Sequence, residues 1–174
     1  MKNIKKTLII SILLSLSSSS LFGYVGNSLV PPWQAYVINS HALVNVATYS
    51  IFLSNISESE IDIELFLFDS DGSILKDSDN NENTGLLRAS GYFTNYSEQS
   101  DASLVVKVAA GKSVELKVNP FGMSGDLNYW GYGKIIWTSS EPIDSAVIAR
   151  GMIYRTLGDA RATQGVQINN GLPF

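Results

Sequence analysis

Leu104-Val105-Val106-Lys107-Val108-Ala109-Ala110-Gly111-Lys112-Ser113-Val114-Glu115-Leu116-Lys117-Val118 is the stretch that decides the fold class. Leu104, Val106 and Val108 alternate with Val105 and Lys107; Val114, Leu116 and Val118 alternate with Glu115 and Lys117. Successive side chains on a strand point to opposite faces, so period two with charges on one face marks two half-buried strands. Ala110-Gly111-Lys112 between them is a turn, where glycine supplies positive φ. The stretch reads as a β-hairpin.

The same grammar extends outward in both directions. Ile61, Ile63, Leu65 and Leu67 alternate with Asp62, Glu64, Phe66 and Phe68, and Asp69-Ser70-Asp71-Gly72 turns the chain back towards Ser73 to Lys76. Leu43 to Ser54 is rich in the Val, Thr, Tyr, Ile and Phe that strands favour. Tyr132 to Ser139 and Ala146 to Tyr154 are two more strands around the Glu141-Pro142 turn, and Gln164 to Asn169 closes the domain. Gly85 to Phe93 holds a short strand, while Asp77 to Thr84 and Asn119 to Trp130 are loops. No amphipathic helix of ten or more residues follows the leader, so nothing is available to cover a single sheet. The expectation is an all-β fold: one antiparallel β-sandwich of about seven to nine short strands, with a small β-barrel as the alternative.

Residues 1–23 have the layout of a signal peptide. Lys2, Lys5 and Lys6 precede a short apolar run from Thr7 to Leu16 and the small residues Ser17 to Ser20. The run is too short to span a bilayer. Cleavage after Gly23, or after Ser20, leaves a single domain over residues 24–174, exported to the periplasm, the cell surface or the exterior. Losing the leader removes three lysines and no acid, so the net charge moves from −4 to −7. An acidic chain without a basic cluster is a poor partner for nucleic acid, and no transmembrane helix is expected in the mature chain.

Composition also limits the chemistry. With no cysteine there is no disulfide, no thiolate nucleophile and no Cys-ligated zinc. His41 is the single histidine, and no Gly-x-Ser-x-Gly elbow accompanies it, so Ser-His-Asp catalysis has no template. Asp62 and Glu64 share a strand face and are the nearest approach to a glycosidase carboxylate pair, but the solvated side of a strand explains them equally. Asp77-x-Asp79-x-Asn81 starts like a calcium loop, yet Glu82 and Arg88 stand where an EF-hand needs Gly and Glu. No catalytic residue, metal ligand or cofactor is assigned, and the chain is read as a non-enzyme.

What remains is aromatic. Gly91-Tyr92-Phe93-Thr94-Asn95-Tyr96 and Asn128-Tyr129-Trp130-Gly131-Tyr132-Gly133 mix rings with amides and hydroxyls, a combination that gives a rigid apolar surface flanked by hydrogen-bonding groups. Tyr92, Tyr96, Tyr129, Trp130 and Tyr132 are the candidate binding residues, sited in surface loops that form one interaction face. The expected partner is a glycan or a protein, including a second copy of the chain. The alternatives are an eight-stranded outer-membrane barrel, whose spanning strands would need about 9–11 residues each, and a subunit of a surface appendage. At the tail, Val166 and Ile168 are expected to be buried, and residues 171–174, with Pro173 among them, to be dispensable for folding.

One family resemblance runs over residues 36–150. Ser40-His41 before an apolar strand, Asn55 at its end, Ile61 to Asp71, the Ala110-Gly111-Lys112-Ser113 turn and Ser140-Glu141-Pro142-Ile143 are similar in placement to the sensory rhodopsin transducer family. The resemblance implies a sandwich fold and a binding, non-enzymatic, oligomeric role. That family is generally cytoplasmic, whereas this chain carries an export signal, and no residue role is carried across.

Overall fold

The structure, a computed structural model, describes residues 24–40, 43–77, 79–121 and 127–174; the leader and His41 lie outside the described residues. Ten strands follow in order: β1 (Tyr24–Ser40), β2 (Leu43–Asn55), β3 (Ile61–Asp69), β4 (Leu87–Gly91), β5 (Thr94–Ser97), β6 (Leu104–Val108), β7 (Ser113–Val118), β8 (Leu127–Ser139), β9 (Val147–Leu157) and β10 (Ala160–Gln167). A short 3-10 turn at Asn169–Gly171 is the only helical element among the described residues.

All pairings are antiparallel. β10-β9-β2-β7-β4 forms one layer and β1-β8-β3-β6-β5 the other. The last residues of β1 pair with the first of β2, from Tyr36 opposite Ala47 to Ser40 opposite Leu43. The two layers are therefore one continuous sheet folded over at that corner. The expected all-β sandwich is present, with ten strands, and four of them (β1, β2, β8 and β9) run to 11 residues or more.

The stretch Leu104–Val118 forms its two strands as expected, but they do not pair with each other. β6 lies between β3 and β5 in one layer, and β7 lies between β2 and β4 in the other. Gly111, at φ +66, makes an arch between layers instead of a hairpin within one. Periodicity reports which face of a strand is buried; both strands bury one face against the same core in either arrangement, so the pattern cannot distinguish them.

At the same end of the sandwich three further connections cross between the layers: Ile56 to Glu60, Tyr92 to Phe93, and Ser140 to Ala146. The four arches gather at one end of the sandwich and are bonded together. The Asn55 N–H donates to the Lys112 carbonyl (2.9 Å), Ile56 to Ala146 (2.8 Å) and Tyr92 to Ser113 (3.0 Å). The Asn55 side chain, 1% exposed, gives both amide protons away, to the carbonyls of Ser59 (2.8 Å) and Val108 (3.0 Å). Its oxygen takes the Ser57 N–H and hydroxyl. Asn55 is thus the buried clamp of the arch, with no side-chain amide proton free.

The longest strand, β1, is the one the sequence does not announce. Pro31-Pro32 sits in its middle, and proline cannot donate to a ladder. The register with β8 shifts there by one residue, from Val30 opposite Gly133 to Trp33 opposite Gly131, so the prolines occupy a bulge. The two glycines of β8 let β3 come close: a Cβ at Gly131 would fall 1.8 Å from the Phe68 carbonyl oxygen.

Between the layers lie Tyr49, Ile51, Leu53, Ile63, Leu65, Leu104, Leu116, Ile135 and Trp137, all fully buried. Each large apolar side chain removed from water contributes about 1.5–3 kcal/mol. At the tail, Ile168 is buried and Val166 packs on the core. Residues 171–174 are not loose. Phe174 exchanges backbone hydrogen bonds with Val147 at 3.0 Å, its carbonyl accepts the Ala146 N–H (3.0 Å) and the Trp137 indole N–H (2.7 Å), and its ring packs on the core. Pro173 ends β-pairing for itself only; the next residue resumes it.

Candidate functional site

The second aromatic segment is strand, not loop, and strict alternation divides its rings. Trp130 and Tyr132 point outward from β8, 54% and 51% exposed. Tyr129 points inward and packs on the core. The outward side of this layer is aromatic beyond β8: the Phe68 ring on β3 stacks on Tyr132 with centroids 5.0 Å apart, as their register across the β3–β8 ladder requires.

Beside Trp130 the surface opens into a cleft of about 450 Å³, within the range of small-molecule sites. It forms where β1 leaves β2: upstream of Tyr36, β1 stays with β8 while β2 turns to β7. Pro32 and Gln34 on β1, with Asn128 and Trp130 on β8, line one wall; Ile153 and Arg155 on β9, with Gln164 on β10, line the other. Gln34 lies opposite Trp130 in the ladder, and its Nε2 donates to Asn128 Oδ1 at 3.2 Å. Ala149, Gly151 and Ile153 are buried on the core side of β9; two residues on, where the strand leaves the core, that side carries Arg155. The guanidinium makes no ion pair among the described residues.

The first aromatic segment is an arch. Tyr92 stands at its tip, 69% exposed, with the Lys112 ammonium 5.2 Å from its ring centroid. Glu60, Tyr92, Lys107 and Lys112 border a smaller hollow of about 250 Å³ at this end. Tyr96 turns inward: it packs on the core, and its hydroxyl lies 3.1 Å from the Leu87 carbonyl and bonds the Glu98 carboxylate.

The five candidate aromatics therefore do not form one face. Tyr92 lies beside Glu60, Tyr132 lies opposite Phe68, and eight residues along the chain through β3 separate those two positions, roughly 26 Å at about 3.3 Å per residue. Tyr96 and Tyr129 belong to the core. Gln34, Arg155 and Gln164 had no sequence signal, because only the ladder brings β1, β9 and β10 to Trp130.

Asp77, Asp79 and Glu98 are the described residues that could hold a cation, with carboxylate oxygens within 4.8 Å of one another. Gly85, at φ +69, is what admits them: a Cβ there would lie 2.3 Å from one Asp77 oxygen and 2.6 Å from one of Asp79. The chain's own donors already serve this cluster. Asp77 accepts the Leu86 and Leu87 N–H groups. Asp79 takes the Thr84 hydroxyl (2.7 Å) and Asn81 N–H (3.0 Å), and Glu98 the Asn80 N–H (2.9 Å). Glu98 is 3% exposed, and burial raises its pKa above the usual carboxylate value, opposed by the Tyr96 and Asn80 bonds. Tyr96 has one hydroxyl proton and two acceptors within reach, the Glu98 carboxylate and the Leu87 carbonyl. The cluster staples the 77–87 loop to the β5–β6 connection.

Of Asp62 and Glu64, the carboxylates sharing a face of β3, the first is ion-paired. Asp62 lies 3.3 Å and Glu60 3.5 Å from the Lys107 ammonium on the open outer side of the sheet. No protein-family model, curated protein or solved structure matches this chain.

Proposed function

We propose that this chain is an exported, non-enzymatic binding domain that recognises a glycan or protein partner through the outward aromatic rings of β8. The observation that carries the reading is the half-exposure of Trp130 and Tyr132 on a rigid central strand, with Phe68 stacked alongside. Rings held in a sheet lose little conformational entropy on binding, and exposed rings of this size have no need to be there for folding. The barrel alternative is disfavoured. Membrane barrels put the apolar face outward and the polar face inward, whereas this interior is Leu, Ile and Val and its outward positions include Asp62, Glu64, Lys107, Lys117 and Arg150. Assembly into an appendage keeps one specific support: β10 is an eight-residue edge strand with an unbroken ladder to β9 and an unpaired outer side.

The test combines sizing with binding. A monomer whose recognition of an arrayed glycan or purified partner is lost in Trp130→Ala/Tyr132→Ala, at unchanged Tm, supports the reading. Full binding by the double variant overturns it, and concentration-dependent filaments that survive the double substitution favour assembly through β10.

A further inference from the structure

We infer that the cleft where β1 parts from β2 is a binding site for an acidic saccharide, a pyranose ring bearing a carboxylate. The inference deepens the binding role proposed above, and three features of the cleft carry it. Trp130 supplies a flat ring, half exposed and fixed by the β1 and β8 ladder, on which the C–H face of a sugar can lie. Gln34 and Asn128 are tied to each other by one hydrogen bond, which sets their orientation. That bond leaves the Gln34 oxygen and an Asn128 N–H without partners among the described residues. An acceptor next to a donor matches adjacent hydroxyls, each of which gives one hydrogen bond and takes another. Gln164 adds a third amide from the opposite wall.

The charge decides the class of sugar. Arg155 sits at the mouth of the cleft with no acid within ion-pair distance among the described residues. Its planar fork binds a carboxylate through two parallel hydrogen bonds. Pro32, held in the bulge, lines the same wall as Gln34 without offering an N–H that a ligand would have to satisfy.

A glycan array carrying uronic- and sialic-acid saccharides beside their neutral counterparts is the first probe, followed by calorimetric titration of the best acidic ligand, its neutral analogue and sodium acetate. The wild-type protein is expected to prefer the acidic saccharide by about tenfold, the worth of one charge-assisted hydrogen-bond pair. Arg155→Gln should erase that preference while keeping neutral-sugar binding. Trp130→Ala should weaken both ligands about tenfold, and acetate alone should not saturate. Equal binding of acidic and neutral sugars, acetate binding as tight as the saccharide, or no bound glycan at all would overturn the inference. If instead a protein partner binds, and is lost in Trp130→Ala/Tyr132→Ala but not in Arg155→Gln, the general binding reading survives and the saccharide site does not. Circular dichroism of each variant separates lost binding from lost fold, and Gln34→Leu provides a second cleft variant away from the charged wall.

Discussion

The segments Gly91–Tyr96 and Asn128–Gly133 have nearly the same composition and opposite construction. In the second, five rungs with β1 and three with β3 hold the residues to alternation, so Tyr129 faces the core and Trp130 and Tyr132 face out. In the first, the backbone breaks alternation twice, at Gly91 (φ +111) and Asn95 (φ +54). The ring next to the glycine is thrown outward at the arch tip, and the ring next to the asparagine is drawn under it. A ladder sorts side chains by parity; an arch sorts them by individual dihedrals. For that reason the outward pair on β8 makes a continuous surface with Phe68, while Tyr92 stands alone with Lys112.

The largest expected effect comes from crowding the ladder. Gly131→Ala places a methyl group on the Phe68 carbonyl, so β3 or β8 must move and the outward rings with them. We expect a loss of about 3 kcal/mol, or a Tm drop on the order of 10 °C. Unfolding in urea with a loss below about 1 kcal/mol would mean that β8 is less tightly held than its parity rule requires.

Next is the tail, which grips the inward side of the same strand. Removing residues 171–174 takes the acceptor from the Trp137 indole and leaves the Ala146 and Val147 N–H groups without partners. Unpaired buried donors cost about 1–3 kcal/mol each, partly relieved by water, so a loss of about 2–4 kcal/mol is expected. Urea unfolding indistinguishable from the full chain would show that the 168–170 segment anchors the tail alone.

The inward ring of the arch gives a smaller, pH-dependent effect. Burial lifts the Glu98 pKa above its unfolded value near 4.5, so the folded state holds the proton more tightly than the unfolded state. That contribution is complete below pH 4.5 and is lost as pH rises through the folded value. Asp77 and Asp79 reinforce the upward shift. Glu98→Gln keeps hydrogen-bonding groups for Tyr96 and Asn80 and removes the titrating carboxyl. The wild type is therefore expected to lose stability relative to Glu98→Gln as pH rises from 4.5 towards neutral. Parallel profiles for the two proteins would mean that burial does not raise the Glu98 pKa in the folded state.

The parts of the molecule legible in its sequence are those governed by parity. Ile61 to Phe68 and both halves of Leu104–Val118 show their buried faces directly. Pairing is a different matter. Ala110-Gly111-Lys112 has the same turn chemistry whether it closes a hairpin or an arch, and only the packing of Val108 and Val114 in opposite layers decides. β1 is hidden because Pro31-Pro32 argues against a strand, and the bulge that rescues it depends on Gly131 and Gly133, about 100 residues away. The same distance hides the cleft: Asn128 and Trp130 share a parity that can be read locally, but Gln34, Arg155 and Gln164 join them only through the fold. Glu98 likewise meets Asp77 and Asp79 from 21 and 19 residues away, a separation no metal-loop spacing contains.

The smallest effect belongs to the isolated ring. Tyr92 is mostly in water, makes no hydrogen bond through its hydroxyl among the described residues, and touches the fold chiefly through the Lys112 ammonium. A cation over an exposed ring contributes about 0.5–1 kcal/mol, and the flexible lysine stem returns part of that as entropy. The arch itself is held by backbone: the Tyr92 N–H on Ser113 and the Asn55 clamp on Val108 do not need the ring. Tyr92→Ala should therefore cost no more than about 0.5 kcal/mol, and Lys112→Met in that background should add almost nothing, because the pair has already been broken. Tyr96→Ala, four residues on, should cost about 2–4 kcal/mol through the cavity it leaves and the bonds it removes from Leu87 and Glu98. A Tyr92→Ala variant as unstable as Tyr96→Ala would mean that the arch tip is packed rather than presented. The contrast between a ring sorted by dihedrals and a ring sorted by parity would then lose its energetic basis.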